Sequence, residues 1–190
     1  MAKAPTVSDT IILSGAPASG KTALGRALAQ RLTLPFLDKD EILESLFEAL
    51  GVGDPAWRQR LSRASDALFL HQIEQRPACV AVSFWRHPGS ARRESGTPVD
   101  SLRTRAPHLI EVHCECPADL AVARFRQRVR HPGHLDDALV VDGMSDEAIR
   151  SQAALGPLGL ATVLKADTSR PLDHLVDELS GAITSARDHS

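Results

Sequence analysis

Gly15-Ala16-Pro17-Ala18-Ser19-Gly20-Lys21-Thr22 spaces two glycines, a lysine and a threonine as G-x-x-x-x-G-K-T. The chemistry open to that spacing is the holding of a phosphate chain. Gly15 permits a sharp turn, Gly20 lets the main chain close on an anion, Lys21 reaches the outer phosphates, and the Thr22 hydroxyl can ligate magnesium. Such a loop works only between a strand and a helix, whose unpaired N–H groups and dipole favour negative charge. Both flanks comply: Thr10-Ile11-Ile12-Leu13-Ser14 precedes it, and Ala23-Leu24-Gly25-Arg26-Ala27-Leu28-Ala29 follows in a helical pattern.

A second chemistry-bearing segment is Leu34-Pro35-Phe36-Leu37-Asp38-Lys39-Asp40-Glu41, with two aspartates one residue apart where a short strand gives way to a helix. That edge opens on the crevice beyond the carboxyl ends of the strands, where ligands gather in open α/β sheets. A carboxylate there can orient a hydroxyl and take its proton. Asp40 is expected in that role and Asp38 beside magnesium through water, with the reverse assignment left open. An N-cap for helix 40–50 is the alternative for Asp40. Lys39 reads as solvated.

The third segment runs from Ala123-Arg124-Phe125-Arg126-Gln127-Arg128-Val129-Arg130 to His131-Pro132-Gly133-His134. On a helix Arg124 and Arg128 share one face, and Arg126 and Arg130 a neighbouring one. So many fixed cations suit an anion better than one another; a solvated basic face is the alternative. Ser83-Phe84-Trp85-Arg86-His87 ends an apolar strand, and Phe84 and Trp85 can wall a pocket with Arg86 or His87 at a polar group. Trp57 shares that ambiguity with ordinary packing, and 53–68 can roof the acceptor. In His113-Cys114-Glu115-Cys116 strand alternation sends the thiols one way and His113 with Glu115 the other, which disfavours a metal site.

The elements that must position these residues alternate along the chain. Strands are expected at 10–14, 34–38, 79–85, 109–115 and 161–166, and helices at 20–32, 40–50, 55–76, 91–105, 117–130, 145–153 and 170–187. Pro55 and Pro117 open two helices, and Thr168 or Ser169 can cap the last. Strands apolar on both faces suit a parallel sheet covered on each side. The expected fold class is therefore α/β, a three-layer α/β/α fold with a mostly parallel five-stranded sheet and a small helical lid at about 124–145. The 190 residues suit one domain. A net charge of −2 disfavours a surface built for nucleic acid or anionic membrane. Three cysteines and no long apolar stretch point to a reduced, cytoplasmic setting with no membrane partner. Oligomeric state is left open.

On these residues the 15–22 segment resembles the Walker A loop of P-loop nucleoside-triphosphate proteins. The GTPase branch is disfavoured, because no aspartate stands three residues before a glycine and the chain has no asparagine for N-K-x-D. A motor ATPase is disfavoured because Val82-Ser83-Phe84-Trp85 ends its strand without an acid. The loop, the Asp38/Asp40 pair and the R-H-P-G-H segment together resemble small-molecule kinases of the shikimate and gluconate kinase type, chloramphenicol phosphotransferase and the broad AAA-type kinase family. The departure is Ser83, where many relatives carry an acid.

The resemblance implies ATP and Mg2+ as cofactors, a small-molecule hydroxyl as phosphoryl acceptor, and a lid supplying arginines. ATP would lie against Gly15, Ala16, Pro17, Ala18, Ser19, Gly20, Lys21, Thr22 and Ala23, with Arg124 and the post-strand Thr168. Lys21, Asp38, Asp40, Arg124 and Arg128 would carry the chemistry, and Thr22 and Asp38 the metal. The acceptor would meet Asp40, Phe84, Trp85, Arg86, Trp57 and Arg130. The alternatives are a kinase acting on polynucleotide ends or nucleotide-sugar conjugates, and a non-catalytic nucleotide-binding protein. ATP against GTP stays open.

Overall fold

Ile11 and Leu13 pack on one side of the first strand and Ile12 on the other, all three fully buried. A strand apolar on both faces belongs in the middle of a sheet with helices above and below, and that is where the computed structural model puts it. The structure describes residues 9–90, 96–104, 108–134, 145–160 and 162–188. Its five strands are β1 (Thr10–Ser14), β2 (Phe36–Asp38), β3 (Cys79–Val82), β4 (Leu109–Glu115) and β5 (Thr162–Asp167). They pair in the order β2-β3-β1-β4-β5, all parallel.

The described helices are α1 (Lys21–Leu32), α2 (Lys39–Leu50), α3 (Pro55–Glu74), α4 (Asp100–Arg103), α5 (Ala118–Gln127), α6 (Asp146–Ala153) and α7 (Leu172–Asp188), with a 3-10 turn at Pro132–His134. α1 and α7 cover the Ile11 and Leu13 face through Leu24, Leu28, Leu175, Leu179 and Ile183. On the Ile12 face lie Phe69 and Ile73 of α3, with Trp85 and Leu158. β1 thus sits centrally, with successive connections leaving to either side, so its carboxyl end opens on the crevice where ligands bind.

Several expected boundaries move. Among the described residues the helix expected at 91–105 is present as α4; 91–95 and 105 lie outside them. Gly96 has φ +95, and Thr97 bridges to Trp85 in parallel. Thr97 N donates to the Phe84 carbonyl and Arg86 N to the Thr97 carbonyl, both at 2.8 Å. Tertiary pairing has overridden helix propensity there. β3 accordingly stops at Val82, with that isolated bridge three residues further on. The helix expected at 117–130 ends at Gln127, because Arg128 is extended (φ −76, ψ 138). Of the expected lid, 135–144 lies outside the described residues. Thr168 does not cap α7: its hydroxyl donates instead to the Glu115 carbonyl at 2.9 Å. The Ser169 hydroxyl bonds Asp167. No helix among the described residues is long and apolar enough to cross a membrane.

Candidate active site

β1 delivers the chain into the 15–22 loop through a turn that only glycine fits. Gly15 has φ +130, and a Cβ on it would stand 2.6 Å from the Cys114 carbonyl oxygen. Gly20, at φ +88, caps α1 without a side-chain hydrogen bond, and the first turn carries no acidic residue. The leading N–H groups of α1 are therefore kept for an anion. Ser19 is fully buried and its hydroxyl has no hydrogen-bond partner among the described residues, an arrangement that a phosphate oxygen would satisfy.

Lys21 fills the middle of the loop. Its ammonium donates to the carbonyls of Gly15 at 2.9 Å and Ala16 at 2.5 Å. Burial pushes its pKa down to about 8, with repulsion from Arg128 in the same direction and the charges of Asp40 and Asp38 pulling back. A desolvated cation whose hydrogen bonds among the described residues go to two neutral carbonyls is suited to an incoming polyanion.

The acid pair lies across from Thr22, whose hydroxyl donates to Asp38 Oδ2 at 3.1 Å. Asp38, not Asp40, caps α2: its Oδ1 accepts from Asp40 N at 2.9 Å. The cap reading for Asp40 is thus corrected, since the helix starts one residue earlier than expected. Burial, with repulsion from Asp40, raises the Asp38 pKa to about 6 despite those two hydrogen bonds. Burial would raise Asp40 as well, but Arg130, Lys39 and His134 together outweigh it and hold Asp40 below the usual carboxylate range. Arg130 reaches Asp40 Oδ2 at 2.7 Å.

Lys39 is buried, which corrects its reading as solvated. It donates to Ser62 Oγ at 2.9 Å and lies 3.9 Å from Asp66. Its neighbour α3 also sends Arg58 Nε to the His134 carbonyl at 2.8 Å. His134, 1% exposed, bonds Glu44 of α2 at 2.8 Å, and His131 stacks on Phe47 with ring centroids 5.4 Å apart. Segment 130–134 is thereby clasped onto α2 and α3. His131, Pro132, Gly133 and His134 were legible as a chain break, but nothing in the sequence paired them with Glu44, Phe47 and Arg58.

The other arginines separate. Arg124 Nη2 donates to the Thr168 carbonyl at 3.1 Å, and both residues lie within 4 Å of where a Cβ on Gly20 would stand. Arg128 lies over the Phe125 ring at 4.0 Å and, being beyond the end of α5, shares no helix face with Arg124.

Phe84 and Trp85 line a pocket with Ser14, Gly15, His87, His113, Gln152, Leu155, Gly156 and Leu158. Trp85 is also core, 4% exposed, donating its indole N–H to the Leu13 carbonyl at 2.8 Å. Arg86 donates weakly to the Gly96 carbonyl at 3.4 Å. Trp57 gives its indole N–H to Gly51 at 3.0 Å, with Arg60 over its ring at 5.2 Å. Neither Arg86 nor Trp57 joins the Phe84 pocket, and no metal-ligating cluster of His, Cys, Asp or Glu occurs among the described residues. Sequence reasoning missed Glu111, which sits buried in β4 beneath Ser14; the two-residue alternation with His113 was the signal that marked its face.

A protein from Chloroflexus aurantiacus J-10-fl assigned as a kinase shares this architecture, at 28% identity over 92% of this chain and 97% of that one, with a TM-score of 0.68. The fold also matches a gluconokinase from Sinorhizobium meliloti 1021, at 18% identity, 97% coverage of both chains and a TM-score of 0.61. It matches shikimate kinase from Acinetobacter baumannii at 21% identity, 94% coverage of both and a TM-score of 0.55. A shikimate kinase from Ruegeria pomeroyi is 52% identical over 42 residues, which cover only 22% of either chain. The chain therefore aligns with about a fifth of the length of such curated relatives. Residues 11–148 match the sequence profile of the AAA domain family, a stretch running from β1 through the P-loop, acid pair and clasp into α6, and the chain belongs to that family of P-loop proteins.

Proposed function

We propose that the chain is an ATP-dependent phosphotransferase that moves the terminal phosphoryl group to a hydroxyl of a small molecule. The observation that carries this reading is the Arg130–Asp40 contact, which sets a lid-segment cation on the acid next to the P-loop. A pure nucleotide sensor has no need of that pair.

On this reading Lys21 leaves the Gly15 and Ala16 carbonyls for the outer phosphates. The α1 N-terminus and Ser19 hydroxyl take the remaining oxygens. Thr22 and Asp38 fit a magnesium ion, whose chemistry would be to neutralise charge on the phosphates. Asp40, held ionised by its cationic neighbours, orients the acceptor hydroxyl and takes its proton as the new O–P bond forms and the bond to the departing diphosphate breaks. Arg124, Arg128 and Arg130 offset the charge that spreads over the transferring group. Cys79, Cys114 and Cys116 form no disulfide among the described residues, in keeping with a reducing, cytoplasmic setting.

The deciding experiment is a panel of sugars, hydroxy acids, nucleosides and antibiotics screened for acceptor-dependent ADP release. Release with one compound class, abolished by Asp40→Asn, is expected. Tight nucleotide binding with no release across the panel, or release stimulated only by RNA or DNA, overturns the small-molecule reading.

A further inference from the structure

Asp40, Glu44 and Phe47 stand four and then three residues apart on α2, so they form one stripe down a single helix face. All three meet the short segment that follows α5. Arg130 reaches Asp40 at 2.7 Å, and His134 Nε2 meets Glu44 at 2.8 Å. The His131 ring stacks on Phe47 at 15°, and the His134 ring meets Phe47 edge-on with centroids 5.7 Å apart. Gly133 completes the set. A Cβ there would stand 2.3 Å from Phe47 Cδ2, so the glycine main chain lies against the ring. Gly133 has no left-handed φ; the ring, not the backbone, bars a side chain.

The turn that makes these contacts is tied to itself. His134 N donates to the His131 carbonyl and Gly133 N to His131 Nδ1, both at 3.0 Å, while Pro132 has a fixed φ. Arg58 of α3 holds the far end through the His134 carbonyl. On the near side support is thin, because α5 ends at Gln127 and Val129 is 98% exposed. Extended chain with a solvated valine beside it does not aim a long side chain whose rotamers are costly to freeze. The anchor lies downstream, one to two turns along α2 from the acid.

We propose that Gly133, Phe47 and His134 are positioning residues: they seat the 130–134 turn in one register on the α2 stripe and so hold the Arg130 guanidinium on Asp40. Their bearing on turnover rests on the phosphotransferase reading; the placement itself does not.

Asp40 reports that placement. Burial works to raise its pKa, and Arg130, Lys39 and His134 bring it below the usual carboxylate range; Asp38 and Lys21 also lie within electrostatic reach. The test is a 13C titration of the Asp40 carboxylate in the full-length, nucleotide-free protein, with Asp40→Asn supplying the assignment. Arg130→Ala should move the Asp40 midpoint up, and Gly133→Ala should reproduce at least half of that rise. Placed in the Arg130→Ala background, Gly133→Ala should add nothing, because its effect passes through the guanidinium. In the wild-type protein the Gly133 Hα protons should show nuclear Overhauser contacts to the Phe47 ring. Missing contacts, an unmoved Asp40 midpoint in folded Gly133→Ala, or an equal rise with and without Arg130 overturns the proposal. Phe47→Leu, which keeps an apolar side chain but loses the stacking face, takes the place of Gly133→Ala if that variant unfolds and is judged by the same outcomes. No nucleotide or acceptor enters the titration. A chain that passes it yet releases no ADP across the acceptor panel fails as a kinase while the clasp stands.

Discussion

Arg130 and Asp40, 90 residues apart in the chain, are joined by a guanidinium-to-carboxylate contact of 2.7 Å. Arg130 is 17% exposed and Asp40 49%, so the arginine covers the acid without sealing it from an acceptor. Replacing Arg130 by alanine should lower kcat by about 10²–10³-fold, the range for losing one donor to developing charge. Arg130→Lys should recover only part, because a single ammonium does not reproduce the guanidinium's geometry. Steady-state kinetics with the acceptor identified by ADP release, alongside Tm, provide the check; unchanged kcat in Arg130→Ala contradicts the role.

Asp38 gives the site a pH signature. Its pKa is raised to about 6 from 3.8 by burial. An acid raised on folding stabilises the fold fully at pH below its unfolded value, and the contribution is lost as pH climbs through its folded value. Between about pH 4 and pH 7 the nucleotide-free protein should therefore lose on the order of 3 kcal/mol through this group. Asp38→Asn should flatten that slope in urea titrations at a series of pH values. Magnesium binds the carboxylate form, so Mg·ATP affinity should rise through pH 6 and fall about tenfold per unit below it; calorimetry at pH 5 and 7.5 reads this. A pH-independent affinity removes Asp38 from the metal site.

Lys21 lies at the centre of the loop but supports little of the core, since its ammonium bonds loop carbonyls among the described residues. Lys21→Ala should abolish turnover while leaving circular dichroism and Tm close to wild type. An intact variant with full activity would contradict the P-loop assignment.

Trp85 separates packing from pocket. Its indole N–H donates to Leu13 and its ring sits 5.6 Å from Phe69. Trp85→Phe leaves the buried Leu13 carbonyl short of a partner, which should cost about 1–3 kcal/mol in urea denaturation. Acceptor KM should move less than about threefold if packing is its whole role. A large KM rise without loss of stability would make Trp85 a substrate contact instead.

The P-loop and the sheet were legible because local physics dictates them. Gly15 needs a positive φ and Lys21 needs an anion, and strands such as Cys79–Val82 are apolar on both faces whatever surrounds them. Where long-range contact decides, the sequence was mute. Thr97 lies in a helical pattern yet pairs with Trp85. Lys39 looks solvated until Ser62 and Asp66 of α3 arrive over it. Arg128 sits in helical register with Arg124, but the helix ends before it, where the backbone goes extended and runs into the 130–134 clasp. The roles of Asp38 and Asp40 could be exchanged on paper; only the Thr22 and Arg130 contacts tell the two carboxylates apart.

Gly20, Arg124 and Thr168 come from three distant stretches of chain and crowd into one small volume, where the guanidinium already holds the Thr168 carbonyl. A methyl on Gly20 would merely touch Thr168 and Arg124, at 3.5 and 3.8 Å, so what bars a side chain there is the backbone, whose φ of +88 suits glycine. Descendants of this chain should therefore keep Gly20 for its backbone freedom, and keep a donor at Arg124 as long as the Thr168 carbonyl stands beside it.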